Sequence, residues 1–111
     1  MSQRTEQVES LIRKQLGEIF SRELELPDAL ATITKVTVTP DLRLSTVFIS
    51  VLPFAQSKSV LKKLQTKRSH LQQQLTKVMT MKFCPKLKFV LDDIPEYVGK
   101  LEEIFHEEEL H

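Results

Sequence analysis

Apolar side chains recur along the first stretch of the chain at Val8, Leu11, Ile12, Leu16, Ile19, Phe20 and Leu24. Steps of three and four put them on one stripe, so residues 5 to 24 are expected to form an amphipathic helix. Ser2 or Thr5 should cap its start, and Pro27-Asp28 should end it. Gly17 inside it costs helix stability, which a close approach of another element would offset. The period then changes. Residues 31 to 54, ATITKVTVTPDLRLSTVFISVLPF, are rich in Thr, Val and Ile, and Val47, Ile49 and Val51 alternate with Thr46, Phe48 and Ser50. That pattern predicts a β-hairpin turning at Pro40-Asp41-Leu42-Arg43. Ile33 is out of phase with Val36 and Val38, which implies a bulge near Thr34 or Lys35.

From Ser57 to Phe83 the stripe is helical again, through Val60, Leu61, Leu64, Leu71, Leu75, Val78 and Met79. One turn interrupts it: between Leu64 and Leu71 stand only Lys67, Arg68 and Ser69. A continuous buried helix would carry an apolar residue there, so this helix is expected to kink or to be two helices end to end. Pro85 stops the helical pattern, and Leu87, Phe89 and Leu91 then alternate with Lys86 and Lys88 as a third strand. A last helix should start at Asp93, with Glu96 completing a capping box and Pro95 in the first turn. Its apolar stripe is Tyr97, Val98, Leu101, Ile104 and Phe105, and its other side is acidic.

The order is therefore α-β-β-α(kinked)-β-α. A strand reached through a helix runs parallel to a member of the hairpin, so the fold class is α+β, with helices on one face of a three-stranded sheet. At 111 residues the chain has room for a single domain, 1–111, with a core over about 4–106. No run reaches the roughly 18 apolar residues a membrane span needs, and the polar opening MSQRTEQVES carries no secretory signal. A lone cysteine, Cys84, excludes an internal disulfide and fits a reduced, partly buried thiol in a cytoplasmic compartment.

Charge changes the picture more than composition does. The formal net charge of +1 conceals ten basic residues and no acid between Leu42 and Leu91, while the other 61 residues hold six basic residues and all 15 acids. Such asymmetry points to a polyanion partner; the plainer alternative is that the acidic flanks fold back onto the basic middle. In the long helix Lys58 and Lys62, and Lys63 and Lys67, stand one turn apart. Each like-charge pair costs a helix roughly 0.2–0.5 kcal/mol, which a polyanion would relieve. Enzymatic readings find little support. His70, His106 and His111 are not spaced with Cys84 as metal ligands, and no phosphate-binding loop or nucleophile motif is present, so neither metal nor cofactor is expected.

The stretches LIRKQLGEIFSREL, TITKVTVTPDLRLSTVFISVL and MTMKFCPKLKFVLDD, in this order, resemble the ribosome-binding factor A family, a type II KH-like fold. The family's S-x-D-L turn matches Thr39-Pro40-Asp41-Leu42, and its R-x-x-P-x-L-x-F matches Lys82 to Phe89. Its Ala-x-Gly kink falls on Lys67-Arg68-Ser69, where the bend must be made without glycine. The resemblance implies a monomeric, non-enzymatic factor that binds the small ribosomal subunit and its rRNA late in maturation and leaves with the help of an assembly GTPase. It also implies a link with growth in the cold. The rRNA-binding candidates are Lys58, Lys62, Lys63, Lys67, Arg68, Lys77, Lys82, Lys86 and Lys88, with Arg4, Arg13 and Lys14 as weaker ones. Phe48 is the one aromatic placed to be exposed on the sheet, so base stacking is expected to be minor. The alternative is a KH-like protein-interaction module that works through its acidic last helix and does not bind RNA.

Overall fold

In the computed structural model, residues 3–92 are described. Helix α1 spans Gln3–Glu23, strand β1 Leu30–Val38, strand β2 Leu44–Leu52, helix α2 Ser57–Thr66, helix α3 Arg68–Val78 and strand β3 Lys86–Leu91, with a short 3-10 turn at Phe54–Gln56 before α2. The helix expected from Asp93 onward, with its cap and acidic face, lies outside the described residues, as does Ser2. Thr5 is inside the first turn of α1 and buried, so it does not cap that helix.

Strand β2 is central, antiparallel to β1 and parallel to β3. The register of β1 on β2 shifts between Ile33, opposite Ile49, and Lys35, opposite Phe48. Thr34 is the extra residue, and the bulge lets Ile33 and Val36 share the buried face although they are three positions apart, an odd step that would otherwise put them on opposite faces. The Thr34 hydroxyl donates to Asp92 Oδ2 at 2.6 Å, across the sheet from the bulge. The hairpin turn is closed by Asp41, whose Oδ1 accepts the Thr39 hydroxyl at 2.6 Å and the Arg43 N–H at 3.1 Å. Those two hydrogen bonds, the hydroxyl first, hold its carboxyl below the usual carboxylate range.

Val47, Ile49 and Val51 of β2, Val36 and Val38 of β1, and Leu87 and Phe89 of β3 are buried on one face of the sheet. Val8, Ile12, Leu16, Ile19 and Phe20 of α1 join them, with Val60, Leu64, Leu71 and Leu75 of α2 and α3. Phe20 and Phe89 meet at 6.0 Å between ring centroids. Each such residue contributes about 1.5–3 kcal/mol by leaving water. One expectation fails at the end of α3. The helix stops at Val78, seven residues before Pro85, because Met79 turns to extended backbone (φ −84°, ψ 127°) and drops into the core while Val78 stays exposed. Core burial of Met79 outweighs helix continuation, so Lys82 and Phe83 stand on a loop and not on a helix.

Candidate nucleic-acid interface

The break between α2 and α3 is a single residue, Lys67, at φ −92° and ψ 4°. This conformation is open to any L residue, so the bend needs no glycine. Hydrogen bonds continue across it: Lys67 N–H donates to the Lys63 carbonyl at 3.0 Å, and Leu71 N–H to the Lys67 carbonyl at 2.9 Å. The gap in the apolar stripe is filled by the Lys67 side chain itself. Its stem is half-buried, and its ammonium reaches the carbonyl of Glu23 at 3.5 Å. Lys63 donates to the carbonyl of Glu25, and His70 Nε2 lies 3.2 Å from Glu23 Oε2. The last carbonyls of a helix lack intrahelical partners and carry partial negative charge. Lys67 at the last carbonyl of α1 and Lys63 at the Glu25 carbonyl just beyond it therefore clamp the end of α1 and the residues after it to the α2–α3 junction.

The other candidates are exposed: Lys58 and Lys62 on α2, Arg68 and Lys77 on α3, Lys82 on the loop, Lys86 and Lys88 on β3, and Arg4, Arg13 and Lys14 on α1. Among the described residues the ion pairs are Arg22–Glu23, Arg43–Asp41 and His70–Glu23. Of the ten cations between Leu42 and Leu91, Arg43 alone thus has a carboxylate within 4 Å there, and the pair is exposed and 3.9 Å long. The folded-back acidic flank supplies little neutralisation within residues 3–92.

The fold brings some of these cations together. Arg68 and Ser69 at the start of α3 share a shallow depression with Gln72, Lys86 and Leu87. Arg4, Arg43, Lys82 and Lys86 line an open cleft of about 1050 Å3, with Asp41 the one acidic side chain in it among the described residues. Arg13 is separated from both, in a groove between α1 and β1 that also holds Gly17 and Leu30. Lys58, Lys62 and Lys77 line none of these hollows.

Two residues of the cleft had no place among the candidates. Arg43 stood out only as part of the charge run. Phe83 is the most exposed aromatic side chain among the described residues, at 76%. Its signal was its position: an aromatic residue beside Lys82 that belongs to no buried stripe. Phe48 is half-buried on the sheet face away from α1, α2 and α3, with Lys35 Nζ 5.8 Å above its ring, and is the less buried of the two sheet aromatics, Phe48 and Phe89.

Helices packed on one face of a sheet made of a hairpin and a crossover strand, with a basic surface and a helix pair bent without glycine, define a small KH-like α+β protein. The family profile described as Ribosome-binding factor A matches residues 4–105, and the chain belongs to that family. It is 33% identical to the ribosome-binding factor A of Opitutus terrae over 110 residues, which is 96% of this chain and 88% of that one. The crystal structure of ribosome-binding factor A from Thermus thermophilus superposes with a TM-score of 0.70 at 22% identity, covering 78% of this chain and 93% of the other. A homology model of the Thermus thermophilus factor, fitted into a cryo-EM map of its complex with the 30S subunit, gives a TM-score of 0.68 at 22% identity, over 76% and 90% of the two chains.

Proposed function

We propose that this protein is a non-enzymatic assembly factor that binds the small ribosomal subunit through its rRNA during late maturation. The observation that carries the reading is a basic surface left without acidic partners among the described residues. Nine of the ten cations between Leu42 and Leu91 have no carboxylate within 4 Å among the described residues, on a chain of the ribosome-binding factor A family. Folded RNA is a dense polyanion, and Lys and Arg bind it by displacing its counterions. Lys63 and Lys67 serve the clamp on α1, so phosphate contact falls chiefly to Arg68, Lys82, Lys86 and Lys88, flanked by Lys58, Lys62, Lys77 and Arg4. The relative seen in a 30S complex supports the same partner, and the family match over residues 4–105 supports a single domain.

On this reading the factor works as a monomer in the cytoplasm, contributes to rRNA processing and growth in the cold, and leaves the mature subunit with the help of an assembly GTPase. No helix among the described residues is long and apolar enough to cross a membrane. Co-sedimentation of the protein with isolated small subunits over a salt series tests the reading. With six or more phosphates neutralised, affinity should fall about a thousandfold between 50 and 200 mM salt. No retention at the lowest salt would refute it.

A further inference from the structure

The cleft at the hairpin end of the molecule combines two features that a merely solvated basic surface would not need together. Four cations from separate parts of the chain converge there: Arg4 from the first turn of α1, Arg43 from the hairpin turn, Lys82 from the α3–β3 loop and Lys86 from β3. Among the described residues the one acid lining the cleft, Asp41, is already engaged by Thr39 and Arg43. Amid these charges Phe83 stands 76% exposed, with Leu44 beneath the same cleft at 39%. Lys82 Nζ lies 5.8 Å from the centre of the Phe83 ring, a cation–π contact that holds an ammonium beside the phenyl face.

An exposed phenyl ring among cations suits a ligand that brings a flat aromatic surface and a negative charge in one unit. A nucleotide has both. In duplex RNA the base faces are stacked on one another, and only an unpaired nucleotide can offer one to a side chain. An acidic peptide would satisfy the cations but leave the ring unused. We propose that this cleft takes an unpaired nucleotide of single-stranded RNA, its base stacked on Phe83 and its flanking phosphates held by Arg4, Arg43, Lys82 and Lys86. The proposal names the RNA element read by the subunit-binding surface, and it rests on that reading for the source of the RNA.

The chain contains no tryptophan, so Phe83→Trp creates a single fluorophore at the cleft, and Phe54→Trp creates one on the 3-10 turn before α2 as a control. A ten-nucleotide uridine RNA, unpaired in solution, should quench Phe83→Trp on binding and leave Phe54→Trp unchanged, and an RNA duplex of equal length should quench neither. Affinity of the same oligonucleotide, by anisotropy, should drop roughly tenfold in Phe83→Leu and return in Phe83→Tyr, as loss of one stacked base predicts. Equal affinity in Phe83→Leu and the parent, no oligonucleotide binding by the parent, or quenching of both tryptophans alike overturns the proposal. Small-subunit co-sedimentation of the parent separates the two claims. Retention on subunits without quenching removes the nucleotide site and spares the subunit reading; quenching without retention does the reverse.

Discussion

Gln72 holds Leu87 as a neighbouring strand would. Its Oε1 accepts the Leu87 N–H at 2.7 Å, and its Nε2 donates to the Pro85 carbonyl at 3.1 Å. One side chain of α3 thus occupies both hydrogen-bonding groups at the start of β3, the point where the loop carrying Lys82 and Phe83 joins the sheet. The cleft and the Arg68–Lys86 depression flank this link. Replacing Gln72 by Leu keeps the volume and leaves both backbone groups unmet in a half-buried position. The cost should be about 1–3 kcal/mol, read from urea denaturation. Hydrogen exchange at the Leu87 amide should speed up more than at Val47, and equal acceleration at both would deny the link.

The clamp on α1 separates stability from binding. Lys67→Met removes a cation from the last carbonyl of α1, and Lys63→Met one from the Glu25 carbonyl just beyond it; each should cost about 0.3–1 kcal/mol, visible as a lower melting temperature. Their effect on small-subunit affinity should be smaller than that of Arg68→Ala. If the two lysine variants lose affinity more than Arg68→Ala at unchanged melting temperature, they belong to the interface and the clamp is incidental.

These two lysines also show where the sequence stopped being readable. Elements and order were legible because each has its own period: the α1 stripe from Val8 to Leu24, the alternation from Val47 to Val51, and the misphased Ile33 that marked the bulge at Thr34. The missing apolar residue between Leu64 and Leu71 located the helix break within a residue. The partners of Lys63 and Lys67 are backbone carbonyls 38 and 44 residues away, and a carbonyl leaves no mark in a side-chain pattern. The loop after Val78 was hidden for another reason. Val78 and Met79 both continue a helical stripe, and only tertiary packing decides that Met79 goes inward. With that turn misplaced, Phe83 looked like helix and its exposure went unseen.

Gly17 offers a test of packing around α1. Beyond its chain neighbours and its own helix backbone, a Cβ built there would meet no heavy atom within 4 Å among the described residues, so the helix pays glycine's entropy with no close approach from them in return. Gly17→Ala should stabilise the protein by about 0.5–1 kcal/mol, measured by thermal or urea unfolding. A destabilised variant would mean that another element packs closely on this position.

Cys84 should behave as a quiet thiol. Burial pushes its pKa above the ordinary range, against hydrogen bonds from Thr76 and Gln72 that lower it. A raised folded pKa means a contribution to stability that is complete below the unfolded pKa and is lost as pH rises through the folded one, so the effect lies on the alkaline side. Iodoacetamide should modify Cys84 more slowly than free cysteine at pH 8, with the gap closing in urea. Native modification as fast as free cysteine would contradict the burial account.

The central claim is that cations brought together by the fold, and without a carboxylate partner among the described residues, meet phosphates. The slope of log affinity for small subunits against log salt reports how many phosphates are met. Removing one phosphate-binding cation should flatten it by about 0.7–0.9, so the double variant Arg68→Ala/Lys86→Ala should flatten it by about 1.5 relative to the parent. Two parallel lines, whatever their offset, would show that neither residue meets a phosphate and would contradict the account.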